Sequence, residues 1–158
     1  MAFDAFLKVD GITGESTDHK HKGEIEVLSF SWGIKQNIAS SGGGGGAGRP
    51  QISDFSIVKH VDAASPELFV AVCSGEHFKD ALFTVADSQG RKGAPEAFLK
   101  IKMSDVLISS YQTGGAGTEV PTDQVSLNFA KVEIAVRNTQ GQRTQAESCD
   151  FIKGTDNF

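Results

Sequence analysis

Apolar and polar residues alternate with a period of two along most of this chain, the signature of half-buried β-strands. Phe3 to Val9 is a short apolar run that ends at the turn pair Asp10-Gly11. From Glu24 to Trp32 the even positions Leu28, Phe30 and Trp32 make one heavy apolar face, while the odd positions end in small hydroxyls, Ser29 and Ser31. Ile52 to Val61 reads as another strand, with Phe55, Ile57 and Val61 on one side. Strands resume at Phe78 to Val85 and at Ala97 to Met103, where Leu99, Ile101 and Met103 alternate with Lys100 and Lys102. The phase changes at Asp105, ahead of Val106 to Tyr111. Val125, Leu127 and Phe129 alternate with Ser126 and Asn128; Val132, Ile134 and Val136 then alternate with Lys131 and Glu133. The parity flip between Phe129 and Val132 predicts a bulge, or a strand that passes from one packed face to another. A last short strand is expected from Thr144 to Ile152.

One stretch breaks this pattern with helical spacing. Ser65 suits an N-cap, Pro66 the first helical position and Glu67 the first turn. Leu68, Phe69 and Val72 share a face, and Gly75 is a stop signal. A helix this short needs packing against a sheet to persist. With about eight strands and one helix, the expected fold is mainly β: a β-barrel of two packed antiparallel sheets with one flanking α-helix. The expected organisation is a single domain over residues 1–158, with an extended glycine-rich arm at 35–51 and a C-terminal tail or last strand at 138–158. The arm is expected to be flexible around Ser40-Ser41-Gly42-Gly43-Gly44-Gly45-Gly46-Ala47-Gly48, and Thr113 to Thr118 is a smaller version.

A chain of 158 residues buries enough surface to be stable without a disulfide or metal. Its net charge of −5 argues against nucleic acid, because the densest basic stretch, His19-Lys20-His21-Lys22, is bounded by Asp18 and Glu24. Membrane insertion is not expected, since no apolar run approaches the ~20 residues of a span. Met1 to Phe6 carries an acid where a secretory signal needs basic residues, so synthesis in the cytosol and export by a route that reads the folded protein are expected. Cys73 and Cys149 have no Cys-x-x-Cys framework and read as free thiols; pairing would require the fold to bring them together.

Searches for reactive chemistry fail. The glycine run contains Gly-x-Gly-x-x-Gly, but a strand follows where a phosphate cradle needs a helix, and Arg49-Pro50 stands where a Walker loop has Lys and Ser/Thr. No cofactor is expected. His19 and His21 share one side of an extended segment and His77 follows the helix, but no third metal ligand has a defined spacing. Ser29 and Ser74 lack a nucleophile-elbow context. The expectation is therefore a protein that is not an enzyme.

Gly14-Glu15-Ser16-Thr17-Asp18, leading to Ile25-Glu26-Val27-Leu28-Ser29-Phe30-Ser31-Trp32-Gly33, resembles the N-terminal signature of Hcp, the hemolysin-coregulated protein of bacterial type VI secretion. The glycine arm, Ser65-Pro66-Glu67-Leu68, Val106 to Gly115 and Asp123 to Ala130 match in the same order, so the resemblance spans about residues 1–137. It implies a β-barrel with a flanking helix and a homo-hexameric ring. Rings would stack into a secreted tube, with sheath and spike proteins as partners and small effector proteins in the lumen. In that setting Ser29 and Ser31 become candidate lumen-facing residues, although an ordinary solvent face explains the same alternation. Gly42, Gly43, Gly44, Gly45, Gly46, Ala47 and Gly48 become a candidate ring-stacking arm that orders on a partner. A ring that binds effectors without forming a long tube is the alternative.

Overall fold

The computed structural model of the chain describes residues 3–38, 47–87, 97–137, 143–150 and 155–157. In chain order the elements are β1 (Phe3–Val9), β2 (Ile25–Val27), β3 (Ser29–Ser31), β4 (Ile34–Ile38), β5 (Ala47–Ile52), β6 (Phe55–His60), α1 (Ser65–Ser74), β7 (His77–Asp87), β8 (Ala97–Gly114), β9 (Thr122–Arg137), β10 (Arg143–Asp150) and β11 (Thr155–Asn157). The expected barrel with one helix is present. Its sheet runs antiparallel through β1, β7, β8, β9, β6 and β3. β2 pairs with β1 at the other end. Only Leu28 separates β2 from β3, so the segment 25–31 joins the two open ends and nearly closes the barrel. The Leu28 amide seals that joint by donating to the carbonyl of Val58 at 2.7 Å.

The single strand expected from Glu24 to Trp32 is thus broken, for a reason visible in its pattern. Ile25 and Val27 are buried at odd positions, whereas Phe30 and Trp32 pack on the core at even ones. One residue must turn outward to change phase, and Leu28 is 49% exposed rather than buried with Phe30 and Trp32. Inside, Phe30 and Phe55 lie 4.6 and 5.0 Å from Phe83, and Trp32 leans on Phe55 at 6.2 Å. Each such ring contributes roughly 1.5–3 kcal/mol by leaving water.

The predicted change of phase in β9 is real, but it is not a bulge in the β8–β9 ladder. Phe78, Val106 and Phe129 form one buried cross-strand row; Ala81, Met103 and Val132 form another. Between these rows all three strands slip by one residue in their buried parity, and the register holds. Asp105, with φ of 53°, supplies the local twist in β8. Ala97 to Met103 and Val106 to Tyr111 are therefore one strand. The β8–β9 register shift falls later, between Ile108 and Ser110. β9 also changes neighbours along its second edge, pairing with β6 up to Leu127 and with β10 from Lys131. β10 corresponds to the strand expected from Thr144, and β11 pairs with it.

α1 begins at Ser65, but Ser65 is not its cap. Ala64 occupies that position and no side chain caps the helix; the Ser65 hydroxyl faces inward instead. Leu68 and Ala71 are the buried contacts and Val72 packs beside them, whereas Phe69 is exposed. Gly75 ends the helix in the left-handed conformation, its amide donating to the Ala71 carbonyl. Val61, expected beside Phe55 and Ile57, lies past the end of β6 and is 43% exposed. The inward position after Ile57 belongs to Lys59.

The arm expected at 35–51 is built as a hairpin where it is described. β4 pairs antiparallel with β5, from Ile34↔Ile52 to Ile38↔Ala47, as a two-stranded sheet separate from the barrel. Ala47 and Gly48 belong to β5. Gly42, Gly43, Gly44, Gly45 and Gly46 lie outside the described residues. Its base is clamped: the Ser53 amide and hydroxyl both donate to the Gly33 carbonyl at 2.8 and 3.0 Å, and the Gly33 amide donates to the Ser53 hydroxyl at 2.7 Å.

Candidate functional site

Ser29 and Ser31 are both exposed on β3, the outward partners of a strand whose Phe30 faces the core. The register extends them into a wall. Ser31 pairs with Ser56 of β6, Ser56 with Ser126 of β9, and Ser126 with Ser110 of β8. Four hydroxyl residues thus share one cross-strand row, and the Ser56 and Ser126 oxygens lie 3.1 Å apart. The next row runs Ser29, Val58, Gln124 and Gln112. Outward positions here carry hydroxyls and amides, with Val58 the one apolar member.

At the edge of the wall, Asp54 accepts hydrogen bonds from the Ser109 hydroxyl at 2.7 Å and the Asn128 amide at 3.0 Å. Ser109 occupies the shifted position between Ile108 and Ser110. The carboxylate is therefore tied to two neutral donors. Past the row where parity slips, the outward residues include four charges, Lys100, Lys102, Lys131 and Glu133, beside Ser104 and Ala135. One pair of strands presents a neutral surface at one end and an ionic one at the other.

Behind the wall, on the inward side of β6 and β9, lies a buried ionic network. Lys59 Nζ donates to Asp62 Oδ1 at 2.7 Å, Asp123 Oδ2 at 2.9 Å, Ser65 Oγ at 3.0 Å and the His60 carbonyl at 3.1 Å. Asp123 also accepts from the Ser65 hydroxyl at 2.5 Å and from Tyr111 at 2.9 Å. Burial pushes the Asp123 carboxyl up, but hydrogen bonds from Ser65, Lys59, Tyr111 and Thr113 outweigh it and hold the group below its ordinary value. Burial and the bond to Asp123 push the Tyr111 hydroxyl up. A lysine whose three protons already meet four acceptors, with no exposed surface, is braced for structure rather than free for nucleophilic attack. The network pins the start of α1 to β6, β8 and β9.

The remaining candidates are structural or solvent-facing. His21 stacks on Phe6 at 4.4 Å and its Nδ1 lies 2.8 Å from Glu24; His77 pairs with Asp105 at 3.1 Å. Among the described residues no three metal-binding side chains cluster. Cys73 is an exposed free thiol, and the side chain of Cys149 lies outside what is described. Gly14 of the N-terminal signature has a packing role. The Gly14 amide donates to the Gly23 carbonyl at 2.8 Å, and a Cβ on Gly14 would sit 2.5 Å from the Glu24 carbonyl oxygen.

Sequence reasoning found two of the serines and missed Ser56, Ser110 and Ser126 as their companions. Alternation marks Ser56 and Ser126 as outward, but Ser110 shares the parity of the buried Val106 and Ile108 and is turned out by the shift after Ile108; only the register places all three in one row. It also passed over Lys59, although the series Phe55, Ile57, Lys59 points a lysine inward.

This barrel, with its separate hairpin and single flanking helix, has relatives. The model of the family described as "Type VI secretion system effector, Hcp" matches residues 6–136. The chain belongs to the Hcp family. It is 41% identical over 136 residues to protein hcp1 of Pseudomonas aeruginosa, covering 85% of this chain and 83% of that one. The fold is similar to that of Hcp1 from Salmonella typhimurium, with a TM-score of 0.82, 32% identity and coverage of 99% and 100% of the two chains. It is also similar to a type VI secretion system effector from Yersinia pestis, with a TM-score of 0.76, 29% identity and coverage of 93% and 99%. Hcp proteins are secreted type VI components rather than a family of enzymes. Among the described residues, no helix is long and apolar enough to cross a membrane.

Proposed function

We propose that this chain is the structural subunit of a type VI secretion inner tube. It forms hexameric rings that stack, engage sheath and spike proteins, and are secreted from the bacterial cytoplasm. The observation that carries this reading is the family match over residues 6–136. The fold supports a division of labour. The barrel is a rigid block for the ring, and the hairpin β4–β5 forms no ladder with it among the described residues, so it is available for the next ring. Ordering the glycine segment on a neighbour costs entropy, which makes stacking weak relative to ring closure. The wall around Ser31, Ser56, Ser126 and Ser110 would line the lumen.

Sedimentation at micromolar concentration, paired with negative-stain imaging, tests this. A single species of six-subunit mass that images as an annulus is expected. A species of one-subunit mass would overturn the ring. The neutral wall also favours a second reading, in which the ring holds small effector proteins as their receptor and chaperone and need not form a long tube.

A further inference from the structure

A groove of about 530 Å³ opens between the end of β1, the helix α1 and the start of β7. It shares no residue with the serine wall. Its floor is Ile12 and Phe78, both buried. The turn after β1 is held over that floor by the Asp10 amide, which donates to the Asp80 carbonyl at 3.0 Å. Val70 stands on the helical rim, is 57% exposed, and extends the apolar floor to the edge of the groove.

Three carboxylates surround this apolar strip: Asp10, Glu67 and Glu76. All three are exposed, and none is in an ion pair among the described residues. Lys79 and His77 also line the groove, but the His77 ring is drawn to Asp105. The local field is therefore acidic over an apolar floor. Nucleic acid is excluded by that sign. A small ligand is disfavoured by shape, because such sites enclose most of their ligand and this groove is open along its length.

We infer that this groove docks a short basic amphipathic segment of a partner protein. Leucine-type side chains of the segment lie on Ile12, Phe78 and Val70, and its lysines or arginines face Asp10, Glu67 and Glu76. The apolar contacts provide the affinity, while the carboxylates steer the encounter and select against acidic partners.

The test uses the full-length protein in its native assembly and two fluorescent synthetic peptides, one of alternating Lys-Leu composition and one of Glu-Leu composition. Anisotropy should report saturable binding of the Lys-Leu peptide alone, weakened about tenfold or more by raising salt until charges are screened. Val70→Ser should weaken it by about tenfold, as expected for losing one apolar contact. Glu67→Lys with Glu76→Lys should abolish Lys-Leu binding and admit the Glu-Leu peptide. All three positions are exposed, so the variants should keep the parent's circular dichroism and sedimentation. Absence of Lys-Leu binding to the parent overturns the inference. So does binding that is unchanged in both variants, which would place the peptide elsewhere on this acidic protein.

Discussion

Lys59 and Asp123 meet at 2.9 Å with neither side chain exposed, and their contact joins β6 to β9 behind the serine wall. Such a pair contributes little over an apolar replacement, but removing one partner strands a charge in the core. Lys59→Met alone should therefore destabilise the subunit by roughly 3–5 kcal/mol, because it strands the buried Asp123 carboxylate. Asp123→Leu alone leaves Lys59 its ion pair with Asp62 at 2.7 Å and should cost less. The double variant should lose clearly less than the sum, read as urea midpoints. Strict additivity would mean that the two groups are not coupled.

Asp123 also makes stability depend on acid pH, because the Ser65 hydroxyl first, and then Lys59, Tyr111 and Thr113, lower its carboxyl against the effect of burial. The Asp123 carboxyl sits below its unfolded value of 3.8 when folded. Below pH 3.8 the unfolded chain takes up a proton that the folded one still refuses, so stability rises with pH across that window. The contribution is fully present above 3.8 and lost as pH falls through the lower, folded value. Acid unfolding followed by Trp32 fluorescence should be steeper in the parent than in Asp123→Asn. Equal slopes would show that other carboxyls govern acid unfolding.

Glycines in this chain differ in what they are for. Gly14→Ala forces a methyl group against the Glu24 carbonyl and should cost roughly 1–3 kcal/mol, because backbone has to move. Gly75→Ala meets open space but holds φ at 66°, so about 1–2 kcal/mol of backbone strain is expected. Gly117→Ala meets neither obstacle and should be near neutral. Thermal melts of the three variants should rank in that order.

Ser31→Gln places a longer side chain on the neutral wall. Its position is exposed, so stability should stay within about 0.5 kcal/mol of the parent. Recovery of effector cargo with purified rings should fall. Unchanged cargo at unchanged stability would make the wall passive there.

Deleting Gly42 to Gly46 should leave rings intact and reduce the number of stacked rings in negative stain. Loss of the ring itself would assign the arm to subunit contacts within a ring.

Much of the barrel was legible because burial on one face writes period two into the sequence, as in Phe55 and Ile57 or in Val125 and Leu127. The joint at Leu28 was hidden because Leu28, Phe30 and Trp32 alternate perfectly by themselves, and only the opposite parity of Ile25 and Val27 betrays the break. Ser65 misled for a different reason. A hydroxyl before a proline suits a cap, yet here the buried lysine competes for it and wins. The serine row could not be read at all, since cross-strand register follows from which strands become neighbours.

The parity slip shared by β7, β8 and β9 has a consequence for how this chain tolerates change. Around Lys79, Asp105 and Ala130, neighbours in sequence live under unlike rules, because the odd and even positions exchange their duties within two residues. An insertion of one residue in any single strand there would exchange those duties on that strand alone and strip the row from its partners. The three strands are thus geared together at that height: each can drift in side chain, and none can drift in length.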